Sequence, residues 1–230
     1  MPLPKLETPT YELSIPSTKE LLKYRPFLVK EEKILLIAQE SEEESEILSA
    51  TKSIIEACTF NKIKCDDLTV YDVEFIFLKI RGKSVGENID FKGKCQHCPE
   101  SIDFHVNIDE VEVFFPEAPE SKIDLGGGVG LTLKSIKVKD LDKIDESDLI
   151  STVCAVVDTI YDNENVYTAT DFSEKELHEF VGNLKHEDLE LIQKYIQNQP
   201  VLKHTISSTC KCDKKKKSTY TLQGLESFFI

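Results

Sequence analysis

Two tight cysteine pairs, Cys95-Gln96-His97-Cys98 and Cys210-Lys211-Cys212, lie more than a hundred residues apart in this chain. Short spacings of this kind let one turn supply two thiolates, and zinc favours four of them in a tetrahedron. Each pair heads a similar segment: a polar turn, a β-patterned run, then a Phe-Phe. Cys98 is followed by Ile102-Asp103-Phe104-His105-Val106 and Phe114-Phe115, and Cys212 by Lys214 to Lys217, Tyr220-Thr221-Leu222 and Phe228-Phe229. The pattern predicts a zinc ribbon built from distant parts of the chain, with one structural zinc on Cys95, Cys98, Cys210 and Cys212. Such a closed site holds structure and leaves no position open for chemistry. The competing reading is a metal-free ribbon whose thiols are merely neighbours, since the second pair is C-x-C, one residue short of the usual knuckle. His97 and His204 are substitute ligand candidates. A redox role for the first pair would need a helix N-terminus to lower the thiol pKa, and Cys98-Pro99 leads into a strand instead.

At 230 residues the chain is one large domain or two small ones, long enough for a proper core. Hydrophobic residues make up 40% and charged residues 30%, a soluble globular balance. No apolar run approaches the roughly 18 residues needed to cross a bilayer. The Met1-Pro2-Leu3-Pro4-Lys5 start lacks the apolar stretch of a secretory signal, so a cytosol-like compartment is expected. Reduced thiols follow from that, and Cys58 and Cys154 read as core residues within apolar helical patterns. A formal net charge of −14 argues against general nucleic-acid binding and favours basic or neutral protein partners.

The period of the apolar residues divides the chain. Tyr11 to Ile15 alternates and predicts a strand, paired with Tyr24 to Val29, which Pro26 would confine to an edge. Lys30 to Gln39 carries Ile34, Leu35, Leu36 and Ile37, apolar nearly all round and so expected to be buried. Helical spacing recurs over Glu42 to Cys58, with an acidic start that suits a helix N-terminus, and over Thr69 to Arg81, with Asp66 or Thr69 as cap. From Glu87 to about Lys139 the period becomes two. Leu149, Val153, Val156, Val157 and Ile160 then mark one helical face, Ser173 to Glu176 is a capping box, and Leu189, Ile192 and Ile196 form a third stripe. The expected class is therefore α+β. It divides into a strand-plus-helix module (1–87), a zinc-ribbon-like antiparallel β unit (88–139 and 201–230) and a helical insertion (140–200).

Few residues suggest other chemistry. Gly126 to Gly130 lacks a following Gly-Lys-Ser/Thr and a helix, so it reads as a hairpin turn and not a phosphate loop. Lys214 to Lys217 could contact phosphates, but a solvated hairpin tip is the better reading in so acidic a chain. No nucleophile elbow, metalloprotease helix or singled-out acid pair is present, and an enzyme with a small-molecule substrate is not expected. Phe114, Phe115, Phe228, Phe229 and Ile230 place aromatic and aliphatic ends on polar strands, which either enter the core or dock on a partner.

One further set of residues carries a resemblance. Lys23 to Ala38, with Met1-Pro2-Leu3-Pro4, Ile15-Pro16-Ser17 and Arg81 to Glu87, is similar to the baseplate hub subunits of T-even-like contractile-tailed bacteriophages. Thr221 to Phe229 looks like the end of that family. The resemblance covers residues 1–90 and the C-terminal strand best, and 136–200 only in general character. It implies a non-enzymatic subunit of a tail baseplate hub, working by contacts with other hub and tail proteins. Such a subunit would be assembled in the host cytoplasm and retained in the virion, without membrane or nucleic-acid partners. Two alternatives stay open: a transient assembly chaperone absent from the mature particle, and a zinc-ribbon nucleic-acid binder.

Overall fold

The computed structural model describes residues 6–41, 43–117, 120–145 and 147–228. The Met1 to Pro4 part of the resemblance, Glu42 of the acidic start, and the C-terminal Phe229 and Ile230 fall outside them. Helices and antiparallel sheets are both present, as an α+β chain requires.

Tyr11–Ser14 (β1) and Leu21–Tyr24 (β2) form an antiparallel hairpin with Leu13 opposite Leu22 and Tyr11 opposite Tyr24. The return strand comes earlier than Tyr24 to Val29, because the chain turns at Lys19 (φ 62°) and Pro26 then blocks extension. Val29–Ser41 (α1) follows. Its entry is held by Glu31, whose carboxylate accepts the Leu28 N–H at 2.6 Å and pairs with Arg25 at 3.0 Å. Only Glu31, Leu35 and Ala38 are buried on α1, whereas Ile34, Leu36 and Ile37 are 44%, 54% and 56% exposed. The expected burial of this run is thus corrected: the helix packs on one side, and apolar side chains on the rest meet solvent.

Burial raises the Glu31 pKa most. The hydrogen bonds from Arg25 and Leu28 and the Arg25 charge together outweigh it and hold the carboxyl below its ordinary 4.5. The ionised form therefore stabilises the fold above that pH, and its contribution disappears as pH falls through the lower folded value. Glu31→Gln is expected to flatten the acid limb of stability below about pH 4.5 in urea titrations, and an unaltered limb would refute this.

Glu44–Cys58 (α2) buries Ala50, Ile54 and Cys58 at the anticipated spacing. Val70–Val85 (α3) starts at Thr69, whose side chain accepts the Asp72 N–H while its hydroxyl donates to the Asp72 carboxylate at 2.6 Å. Val73, Ile76, Phe77 and Ile80 lie on its buried face, and the helix continues a turn past Arg81 to end at Gly86. Asn88–Lys94 (β3) and Ser101–Asn107 (β4) pair as a hairpin, followed by Glu112–Phe114 (β5).

The next stretch is a separate compact unit, Phe115–Pro200, whereas residues up to Phe114 and from Val201 form the other. Lys122–Gly126 (β6) and Val129–Leu133 (β7) make the hairpin that the glycines announced. Gly127 and Gly128 take φ of 67° and 83°, as a tight two-residue turn demands. Leu149–Val156 (α4) leads directly into Val157–Tyr161 (β8), and Val166–Thr168 (β9) completes a sheet of order β6-β7-β8-β9. Glu174–Gly182 (α5) opens on the expected capping box at Ser173, and His186–Gln197 (α6) follows. Leu131, Val153, Val156 and Ile192 centre this unit's core.

Val201–Thr209 (β10) and Lys217–Gln223 (β11) return the chain to the first unit in a sheet of order β11-β10-β5. One core holds Leu78 of α3, Ile102, Phe104 and Val106 of β4, Leu202 and Ile206 of β10, and Leu222 of β11. These limits differ from 1–87, 88–139 with 201–230, and 140–200. Leu78 shares a core with both hairpins, and β7 pairs with β8, which ties 122–133 to the inserted unit. Among the described residues no helix is long and apolar enough to cross a membrane.

Candidate metal centre

Both cysteine pairs sit at hairpin tips. Cys95 to Glu100 joins β3 to β4, and Cys210 to Lys216 joins β10 to β11. The two tips close alike: the Cys95 N–H donates to Glu100 O at 3.0 Å, and the Cys210 N–H donates to Lys216 O at 2.9 Å. The first cysteine of each tip turns its sulfur to the neighbouring hairpin, Cys95 towards Ser218 and Cys210 towards Cys98.

The hairpins then meet side by side. Phe91, Phe104 and Tyr220 form an aromatic cluster with centroids 5.1 to 5.7 Å apart. Gly93 makes room for it, because a Cβ there would lie 2.7 Å from the Phe104 ring. Polar contacts lace the first tip onto β11. The Gln96 amide donates to Thr219 O at 3.0 Å and accepts the Thr219 N–H at 3.4 Å, as a paired strand would. His97 Nε2 lies 3.0 Å from Lys217 O. Ser218, fully buried, accepts the Gln96 N–H at 3.0 Å and sits 3.3 Å from Cys95 Sγ.

The sulfurs of Cys95, Cys98 and Cys210 consequently all lie within 4.8 Å of one another. Cys98 Sγ and Cys210 Sγ are 3.7 Å apart. A disulfide would need about 2.05 Å. Four thiolates around a tetrahedral zinc, with Zn–S near 2.3 Å, stand about 3.8 Å apart. The Cys98–Cys210 spacing therefore matches two ligands of one ion, and with Cys95 in reach this trio could hold one. Cys212 is exposed and outside the trio, but its thiol acts on Cys98. The sequence placed four sulfurs together; the geometry gathers three and leaves the fourth beside them, as the short C-x-C turn dictates. His97 is engaged with Lys217, and His204 lies in β10 opposite Leu222, so neither joins the group.

The local electrostatics are uneven. Hydrogen bonds from Ser218 and the His97 N–H to Cys95 lower its pKa to about 6. A backbone bond from Glu100 favours the Cys98 thiolate, but Cys212, burial, Cys95 and Cys210 together push it up to about 12. One negative charge on Cys95 is thus already stabilised beside a protonated Cys98, whose proton a cation would displace. By contrast burial drives Cys58 and Cys65 up to about 11 and 12, which marks them as unreactive core thiols, and partial burial raises Cys154 to about 11 at the edge of the second unit's core. Ser218 and Gln96 were missed in the sequence. The signal was present: Ser218 shares the inward register of β11 with Leu222, where a polar residue needs a partner.

The aromatic ends divide. Phe114 and Phe115 are 51% and 47% exposed where the chain leaves the first unit. Phe228 is fully buried in the core of the first unit, which removes it from any docking surface, because the turn at Leu225–Phe228 folds it under β11. Phe229 and Ile230 lie outside the described residues.

The chain is 25% identical over 223 residues to the "Baseplate hub assembly protein gp26" of Enterobacteria phage T4, covering 95% of this chain and 97% of that protein. No solved structure matches it. The family model described as "T4 bacteriophage base plate protein" matches residues 8–230, and this chain therefore belongs to that family.

Proposed function

We propose that this protein serves the hub of a phage tail baseplate as a non-enzymatic connector, made in the host cytoplasm and kept in the virion. The observation that carries the reading is the match over 223 residues to a baseplate hub assembly protein, which spans both compact units. Its partners are other hub and tail proteins, engaged through exposed apolar side chains such as Phe114 and Phe115. Neither a membrane nor a small-molecule substrate is part of this role.

The thiol cluster supports a structural zinc on Cys95, Cys98 and Cys210, with Cys212 closing the tetrahedron after a small turn of its exposed side chain. When bound, the ion clamps two hairpin tips; the protein supplies the sulfurs, the Ser218 and His97 bonds that orient Cys95, and the strand-like grip of Gln96. The second reading is a transient assembly chaperone, favoured by the word "assembly" in the relative's name. Quantitative mass spectrometry of purified virions distinguishes the two. A stoichiometric peptide signal supports the resident subunit, and its absence from particles but presence in infected cells supports the chaperone.

A further inference from the structure

The turn that carries the second cysteine pair is a basic spot on an acidic molecule. Residues 211–217 hold five lysines and one aspartate, in a chain of net charge −14. Lys211, Lys214, Lys215, Lys216 and Lys217 are all exposed. Lys211 reaches Asp103 at 3.5 Å, whereas no ion pair engages Lys214 to Lys217 among the described residues. Asp213 faces inward to build the turn: its carboxylate accepts the Lys215 N–H at 3.0 Å and its carbonyl accepts the Lys216 N–H at 3.0 Å. With Cys210 N–H closing on Lys216 O, the loop is a preformed cationic knob.

We infer that this knob is the docking face for an acidic patch on a neighbouring folded protein. The inference rests on the connector role proposed above and, for the stiffness of the loop, on the metal reading. Charge decides the class of partner. Duplex DNA carries a charge about every 1.7 Å along its axis and rewards an extended positive track. Here the positive surface is one turn wide, and the exposed carboxylates elsewhere would repel a long polyanion. A compact acidic patch meets the lysines without that penalty. Binding cations at a pre-ordered loop also wastes little conformational freedom, which a flexible lysine tail would lose. Cys210 and Cys212 flank Lys211, so an ion on both fixes the base of the knob.

The test uses the full-length, zinc-loaded protein, a fluorescent peptide of twelve glutamates and an equally labelled 24-base-pair DNA, with anisotropy read at 50 and 200 mM salt. The peptide should bind, weaken as salt rises, and lose at least tenfold in affinity for Lys214→Glu/Lys215→Glu/Lys216→Glu. The glutamine triple variant should lose less. Zinc content and circular dichroism of both variants should match the parent, which excludes misfolding as the cause. Tighter binding to DNA than to the peptide overturns the inference, and so does peptide binding indifferent to the charge reversal. Self-association that the same charge reversal at Lys214, Lys215 and Lys216 abolishes would also overturn it, by assigning the knob to a second copy of this chain in place of a different protein. A parent protein without zinc that still binds the peptide through these lysines defeats the metal reading alone and leaves the docking face standing.

Discussion

Replacing Cys95 and Cys98 by serine is expected to abolish zinc binding, lower the melting temperature by about 10 °C and block incorporation into tails. The magnitude follows from mass action: an ion present at about a thousandfold over its dissociation constant stabilises the folded state by about 4 kcal/mol. A domain of this size loses about 2–4 °C per kcal/mol. The first unit has its own core, so the drop should stop well short of unfolding, unlike a metal finger that collapses without its ion. Differential scanning calorimetry with elemental analysis checks both halves. An unchanged melting point in a protein containing stoichiometric zinc would place the ion elsewhere, and an unchanged melting point without zinc would make the cluster an idle set of neighbours.

Truncating Phe228 is the second large effect. It is completely buried with Phe104, Ile102 and Leu222, so Phe228→Ala should cost about 3–5 kcal/mol in denaturant unfolding. Phe114→Ser should cost about 1 kcal/mol or less, because the ring is half exposed and its described partner is Lys203, 5.4 Å from the centroid. The two substitutions should therefore part company. Phe228→Ala weakens the isolated protein, whereas Phe114→Ser leaves it stable and impairs hub assembly in infected cells. Equal stability losses would mean that Phe114 is a packing residue and would withdraw it from the proposed contact surface.

Much of this was legible in the residues because local chemistry and tertiary structure agreed. Thr69 capped α3, Ser173 and Glu176 formed their box, and the Gly126 to Gly130 stretch turned a hairpin. The cysteine pairs could be matched across a long gap because thiol spacing has few other uses in a reduced protein. Other features could not be read. Val156, Val157 and Ile160 fit a helical stripe, yet Val157–Tyr161 is a strand, since a β-branched run beside β7 gains more from pairing than from another turn. The apolar run in α1 suggested burial from composition alone, but periodicity does not reveal how many neighbours a helix will find. The exposure of Cys212 was equally hidden, because it depends on where a turn one residue short aims its last side chain.

The grip of Gln96 on Thr219 has a consequence for the newborn chain. The two hairpins are separated by the whole inserted unit, and Cys98 meets a sulfur 112 positions downstream. At a ribosomal pace of about 5–20 residues per second, the first hairpin waits roughly 6–22 s for its mate. Throughout that interval Ile102, Phe104 and Val106 have Leu78 and Ile89 beside them but lack the part of their cover that Leu202, Ile206 and Leu222 will supply. Production at high rates, where many half-finished chains coexist, should therefore favour clumping over yield, and slower synthesis at lower temperature should recover soluble material.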